Sequence, residues 1–217
     1  MILKKRLSSN GLLYVVIDEK IAKELNQKIL NLAREIAASS VDLVQLRAKN
    51  TNDTQYLSLA KKLTVLFKKK NKIFIVNDRA DIAYLSGANG VHLGASDVSE
   101  EEARIILGKK AIVGKTIHSL KEIKSTSQSA VDYLSLGPFF ESKTKQPNRR
   151  PLTRKEINRI ISENEKLIFA IGGINLYNID SVLKSGIKNV AVSSSVLSAT
   201  HPLKKIEELK RCLKKVS

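Results

Sequence analysis

Residues 73–97 read IFIVNDRADIAYLSGANGVHLGASD. Ile73–Val76 is an apolar, β-branched run that ends in Asn77-Asp78-Arg79. A short helical turn over Ala80–Leu85 follows, then a second strand, Gly90–Leu93, carrying His92 and leading through Gly94 to Asp97. Strands that lie side by side and parallel need a crossover of this kind, and its hand is fixed. Asp78 and Asp97 each stand where a strand runs out, so both should project from one edge of the sheet. Paired carboxylates flanked by basic groups are a candidate Mg²⁺–diphosphate site, because Mg²⁺ is held by one or two carboxylates plus substrate phosphates. Each residue also has an ordinary reading: Asp78 as the N-cap of the next helix, Asp97 as a turn residue.

The same strand–helix unit recurs on both sides of this stretch. Upstream, Leu12–Ile17 and Leu43–Leu46 are strands, separated by a helical stripe of Ile21, Leu25, Ile29, Leu32 and Ile36. Tyr56, Leu59, Leu63, Leu66 and Phe67 form the next stripe. Downstream, Ala111–Gly114, Tyr133–Leu136, Leu167–Ile171 and Asn189–Val192 are strands. Ser99/Glu102, Ser119/Glu122 and Thr153/Glu156 have the spacing of capping boxes that open the intervening helices. A last helix starts near Pro202. Continuous rather than alternating apolar runs are what strands buried on both faces require. Eight strand–helix units without a break in composition predict an α/β fold, a single-domain (β/α)8 TIM barrel over residues 1–217, with an open doubly wound sheet as the alternative.

Composition narrows the chemistry. The chain has 38 Lys+Arg against 21 Asp+Glu, for a net charge of +17. Lys61-Lys62, Lys68-Lys69-Lys70 and Lys204-Lys205 fall on polar helix faces and read as solvated surface. The excess positive charge attracts anions, either phosphorylated small molecules or nucleic acid. Aromatics make up 5% of the residues and Trp is absent, and no aromatic-and-basic interleaving suited to stacked bases is present. Phosphorylated substrates therefore fit better than nucleic acid. Cys212 is the one cysteine, which excludes an intrachain disulfide and a thiolate cluster. Leu12–Ile17 is too short for a signal-peptide core or a membrane span, so the expectation is a cytoplasmic protein with no membrane partner. The sequence leaves homo-oligomerisation open.

In a barrel, chemistry gathers at the C-terminal ends of the strands. Strand two ends in Gln45-Leu46-Arg47-Ala48-Lys49, and alternation turns Gln45, Arg47 and Lys49 to one face. Three polar groups facing a dry lumen would be costly, and a bound anion would explain them. Strand five runs into Lys115-Thr116-Ile117-His118, compatible with substrate contact or with helix entry. His92 reads equally as a structural or a catalytic histidine. The loop after strand six carries Ser142, Thr144 and Lys145, donors suited to phosphate. Gly172-Gly173 and Ser193-Ser194-Ser195 end strands seven and eight. There, small residues let backbone N–H groups approach a phosphate or simply allow close packing.

Taken together, QLRAK at 45–49, NDR at 77–79, GVHLGASD at 90–97, GPFFESKTK at 137–145, AIGGI at 170–174 and VAVSS at 190–194 resemble the thiamine phosphate synthase family, in family order over nearly the whole chain. The resemblance implies a barrel transferase that joins an aminopyrimidine diphosphate to a thiazole phosphate, releasing pyrophosphate with Mg²⁺ assistance. It implies Mg²⁺ on Asp78 and Asp97; diphosphate on Arg47, Lys49, Asn77 and Lys145; the pyrimidine near Gln45; and a substrate contact from Thr116. The thiazole phosphate would lie on Ser142, Thr144, Gly173 and the Ser193–Ser194 backbone. Arg47, Lys49, Thr116 and Lys145 are the implied catalytic set. The chain departs from the family pattern at Ala95, where Gln is usual, at Thr116, where Ser is common, and at Lys115 and Ser193, where apolar residues are typical. The related thiazole tautomerases, with His118 as candidate acid–base residue, are the nearest alternative. A nucleic-acid binder is the more distant one.

Overall fold

The structure, a computed structural model, describes residues 4, 6, 7, 9–126, 130–141 and 150–215. Eight strands close into one barrel in sequence order: β1 (Leu13–Asp18), β2 (Leu43–Arg47), β3 (Ile73–Asn77), β4 (Gly90–Leu93), β5 (Ile112–Ile117), β6 (Tyr133–Leu136), β7 (Leu167–Ile171) and β8 (Asn189–Val192). Every neighbouring pair is parallel, including the closing pair β1–β8. Helices α1 (Glu19–Glu24), α2 (Ile29–Ala38), α3 (Asp53–Lys69), α4 (Ala80–Ser86), α5 (Glu100–Leu107), α6 (Leu120–Thr126), α7 (Arg154–Ser162), α8 (Ile179–Leu183), α9 (Ser194–Leu197) and α10 (Pro202–Lys214) accompany them. No described helix is long and apolar enough to cross a membrane.

Strand alternation sorts the side chains into two cores. Tyr14, Leu43, Ile73, Ile75, Ile112, Tyr133, Phe169 and Ala191 fill the lumen. Leu13, Val15, Ile17, Val44, Leu46, Phe74, Val76, Leu134 and Leu136 face the helices. Both faces are dry, which explains the unbroken apolar runs. At the N-terminal end, the residue opening every second strand is Asp or Asn and satisfies a backbone donor of a neighbour. Asp42 accepts from Leu13 N (2.8 Å), Asn89 from Phe74 N (2.7 Å), Asp132 from Val113 N (2.9 Å) and Asn189 from Leu12 N (3.0 Å). These contacts tie the face of the barrel that carries stability rather than chemistry.

Two expectations need correction. The stripe Ile21–Ile36 is two helices, α1 and α2, because Asn26 takes a left-handed conformation (φ 51°) between them and leaves Leu25 40% exposed. Strand five continues to Ile117, so Thr116 belongs to the barrel wall and not to a helix entry.

The capping boxes at Ser99/Glu102 and Thr153/Glu156 are both formed. In the second, Arg150 chelates the Glu156 carboxylate at 3.0 and 2.7 Å. The Arg150 hydrogen bonds first, and then those of Thr153, lower its pKa from the ordinary 4.5 to about 2. A depressed carboxylate supports the helix start above the unfolded value and loses that role as pH falls through the folded one. Glu156 should therefore titrate near 2 by NMR, and Arg150→Ala should move the midpoint up toward 4.5. A midpoint already at 4.5 in the unsubstituted protein would contradict the pairing.

Candidate active site at the barrel mouth

Asp78 occupies an unusual piece of backbone. Its N–H extends the sheet ladder to His92 O (2.8 Å), and Arg79 N then bonds back to Asn77 O (2.8 Å). This closes a three-residue turn around Asp78 at φ 65°. That is the strained hand of the γ-turn, tolerated at Asp or Asn more readily than at bulkier residues. Strain of this kind persists where the surroundings over-determine it, commonly at functional sites. Here Tyr56 on α3 supplies the restraint, its buried hydroxyl shared between Leu46 O (3.1 Å) and Asn77 O (2.9 Å). One side chain thus latches the ends of β2 and β3 just before Arg47 and Asp78.

The turn aims Asp78 at Asp97, and their carboxyl groups come within hydrogen-bonding reach of each other. Burial, then the shared hydrogen bond and charge of Asp97, push the Asp78 pKa up; the Lys49 ammonium, 2.9 Å away, pulls it down. Asp97 is itself fixed by accepting from Gly94 N (2.6 Å), so its turn reading is also correct. The N-cap reading of Asp78 is not: α4 is preceded by Arg79 and has no side-chain cap. Two like charges held together in a half-buried mouth invite a cation, and this pair fits Mg²⁺. Among the described residues no group of three or more His, Cys, Asp or Glu side chains that could hold a metal ion exists; Mg²⁺ is commonly held by one or two carboxylates plus substrate phosphates.

Around this pair, Arg47 donates to Asp18 (2.5 Å). Asp18 in turn caps α1 through Lys20 N (3.0 Å), so the guanidinium is preplaced by a residue that the sequence patterning did not single out. Gln45 is 2% exposed and donates to Tyr14 Oη at 2.5 Å. Gln45, Arg47 and Lys49 thus each have a protein partner, so their placement is accounted for with or without a bound anion. The Lys49–Asp78 pair is the loosest, with the Lys49 side chain 47% exposed. An ion pair that open is worth under about 1 kcal/mol, so the ammonium is available to a ligand. The Asn77 side chain, on a residue 5% exposed, makes no hydrogen bond to a described residue.

Across the barrel, Thr116 Oγ1 meets His92 Nε2 (2.7 Å) and His92 Nδ1 meets Tyr133 Oη (3.0 Å). His92 is held as part of the wall. His118 Nδ1 meets Gly137 O (2.5 Å). Ser135, paired with Thr116 in the β5–β6 register, buries a hydroxyl without a described partner. Gly172 and Gly173 (φ 102° and 67°) lie under the chain that leaves β6. Ser193 ties its hydroxyl to Val16 O (2.9 Å), which leaves its backbone for a ligand, and Ser194 follows at the start of the one-turn helix α9. Sequence patterning did not show α9. The implied phosphate contacts Ser142, Thr144 and Lys145 lie outside the described residues.

The chain is a closed (β/α)8 barrel whose C-terminal mouth gathers an acidic pair, an Arg and a Lys. The chain belongs to the TMP-TENI family, thiamine monophosphate synthase, whose sequence profile matches residues 13–196; it is a member of a transferase family. It is 40% identical over 177 residues to the thiamine-phosphate synthase of Prochlorococcus marinus strain SARG, covering 82% of this chain and 51% of that one. It is 31% identical over 201 residues to the thiamine-phosphate synthase of Lawsonia intracellularis, covering 93% and 92%. The chain thus spans about half the length of the Prochlorococcus relative and nearly all of the Lawsonia one. Among solved structures, thiamine phosphate pyrophosphorylase from Pyrococcus furiosus superposes with a TM-score of 0.86 at 29% identity, covering 99% of this chain and 98% of that one.

Proposed function

We propose that this chain is a thiamine phosphate synthase, joining an aminopyrimidine methyl diphosphate to a thiazole phosphate and releasing pyrophosphate. The observation that carries this reading is the Asp78–Asp97 pair with Lys49 beside it at the barrel mouth. In the reaction the carbon–oxygen bond to the diphosphate breaks, its electron pair leaving with pyrophosphate, and the thiazole nitrogen forms the new bond to the pyrimidine methylene carbon. Negative charge grows on the leaving group, so preplaced positive groups stabilise the transition state more than the ground state.

Arg47, fixed by Asp18, and Lys49, loosely paired, bind the diphosphate, with the Asn77 amide completing the cradle; Lys145 is the further cation proposed there. Asp78 and Asp97 would hold Mg²⁺, which supplies charge neutralisation on the departing oxygens. Gln45 and Thr116 orient the pyrimidine. The Gly173 and Ser193–Ser194 backbone holds the thiazole phosphate together with Ser142 and Thr144. Incubation of the purified chain with both phosphorylated substrates and Mg²⁺ should yield thiamine phosphate and pyrophosphate in equal amounts. Neither product, with isomerisation of the thiazole instead, would replace this reading by a tautomerase acting through His118.

A further inference from the structure

A continuous hydrogen-bond chain crosses the lumen beneath the mouth. It runs from Gln45 Nε2 to Tyr14 Oη (2.5 Å), to Tyr133 Oη (2.9 Å), to His92 Nδ1 (3.0 Å), and from His92 Nε2 to Thr116 Oγ1 (2.7 Å). The five side chains come from β2, β1, β6, β4 and β5. Tyr14, Tyr133 and His92 are 1%, 0% and 4% exposed. Their rings are also locked by packing: His92 stacks on Tyr133 at 5.5 Å, and Phe169 meets both tyrosines edge-on at 5.4 and 5.3 Å. Gly114 makes the room, since a Cβ there would stand 2.1 Å from Tyr133 Cζ. Burial pushes both phenols far up from their ordinary pKa, so each stays protonated and carries one proton to give.

Proton counting leaves two continuous arrangements, the first with the Gln45 amide nitrogen toward Tyr14. The Gln45 N–H fills one side of Tyr14 Oη, so the Tyr14 proton goes to Tyr133 and the Tyr133 proton to His92 Nδ1. A neutral His92 then carries its proton on Nε2 and gives it to Thr116 Oγ1. Thr116 is left with its own hydroxyl proton turned outward, and Gln45 with its carbonyl oxygen. The chain is complete in reverse only if the Gln45 amide rotates. Thr116 then presents a lone pair to the mouth, and Gln45 an NH₂. With a neutral imidazole, any mixed arrangement sets two donors or two acceptors face to face in a dry lumen, which leaves a buried polar group unsatisfied.

We propose that Tyr14, Tyr133 and His92 are positioning residues that couple the hydrogen-bonding states of Gln45 and Thr116. Reversing the chain changes which atom of the Gln45 amide and which side of the Thr116 hydroxyl the network consumes, so the two ends change together. The chain thereby tunes both ends jointly for a heteroaromatic substrate, and in that respect the inference rests on the synthase reading. Tyr133→Phe removes one hydroxyl, keeps the ring and cuts the chain in the middle.

The test is a double-mutant cycle of Gln45→Met and Thr116→Val on kcat/KM for the pyrimidine diphosphate, run with and without Tyr133→Phe. Members of one hydrogen-bond network couple, so the double variant should depart from the product of the singles by roughly threefold or more. With Tyr133→Phe the departure should shrink to within about twofold. KM for the pyrimidine diphosphate should rise while KM for the thiazole phosphate holds. Undiminished non-additivity with Tyr133→Phe, or none without it, would overturn the proposal. If Tyr133→Phe does not fold, Tyr14→Phe cuts the adjacent link. A readout independent of turnover is the ¹⁵N shift of the His92 ring: a single tautomer in the unsubstituted protein and a mixture with Tyr133→Phe. An unchanged tautomer would overturn the coupling, whereas absence of thiamine phosphate alone would overturn only the synthase reading.

Discussion

Asp78→Asn and Asp97→Asn are each expected to lower turnover with both substrates by about 10²–10³-fold, the scale of losing one preorganised electrostatic contact to developing charge. Affinity for the thiazole phosphate should hold, because its proposed contacts come from the segments after β6, β7 and β8 and not from β3 or β4. Stability should move the other way. Burial and Asp97 raise the Asp78 pKa above its ordinary 3.8, so the native state favours the protonated form, and the charged form weakens folding at neutral pH. Asn removes that charge and tolerates the left-handed backbone at position 78 (φ 65°). Asp78→Asn should therefore melt at or above the temperature of the unsubstituted protein at pH 7. The gain should fade as acid protonates Asp78 itself. A variant that keeps full turnover without Mg²⁺, or an Asp78→Asn protein that melts below the unsubstituted one at pH 7, would contradict the role given to the pair.

Gly173→Ala is expected to cost about 2–4 kcal/mol, combining left-handed backbone strain with overpacking. Gly173 has φ 67°, and a Cβ would stand 2.6 Å from Glu141 O and 2.8 Å from Phe140 Cβ. The neighbouring chain cannot simply withdraw, since Phe139 N and Phe140 N bond to Ile171 O (3.0 Å) and Gly172 O (3.1 Å). Those two bonds set the path out of β6 toward the residues proposed to hold the thiazole phosphate. Denaturant unfolding should show the lost stability, and KM for the thiazole phosphate should rise with it. Stability and KM both unchanged would show that close packing at this glycine is dispensable. The steric need for glycine here is present without any ligand, and a phosphate contact would be an additional use of the same backbone.

Much of the fold was legible because the barrel writes one simple signal eight times, an apolar run too short for a helix and continuous rather than alternating. The carboxylate pair was legible for the same reason, since a residue at a strand end has its position fixed by topology. What could not be read depends on register across strands. The chain of hydroxyls through Tyr14 and Tyr133 exists because those rings share the lumen with Gln45, His92 and Thr116. Its trace in sequence is two tyrosines in largely apolar strands, whose hydroxyls must find partners when buried. The Asp42, Asn89, Asp132 and Asn189 contacts leave a similar faint trace, a polar residue at the start of every second strand. Arg47 and Lys49 pointed inward as alternation required, yet Asp18 and Asp78 already satisfy them, which no count along one strand could reveal. The break at Asn26 was hidden because Leu25 and Ile29 happen to continue a helical spacing.

Calorimetric titration of pyrophosphate into the protein, with Mg²⁺ and with chelator, bears most directly on the account. The unsubstituted chain should bind pyrophosphate at least about tenfold more tightly with Mg²⁺, the lower end of what removing support from a metal site costs. That difference should vanish when Asp78→Asn and Asp97→Asn are combined. Equal affinity in both buffers, or a Mg²⁺ dependence that survives the double substitution, would contradict it.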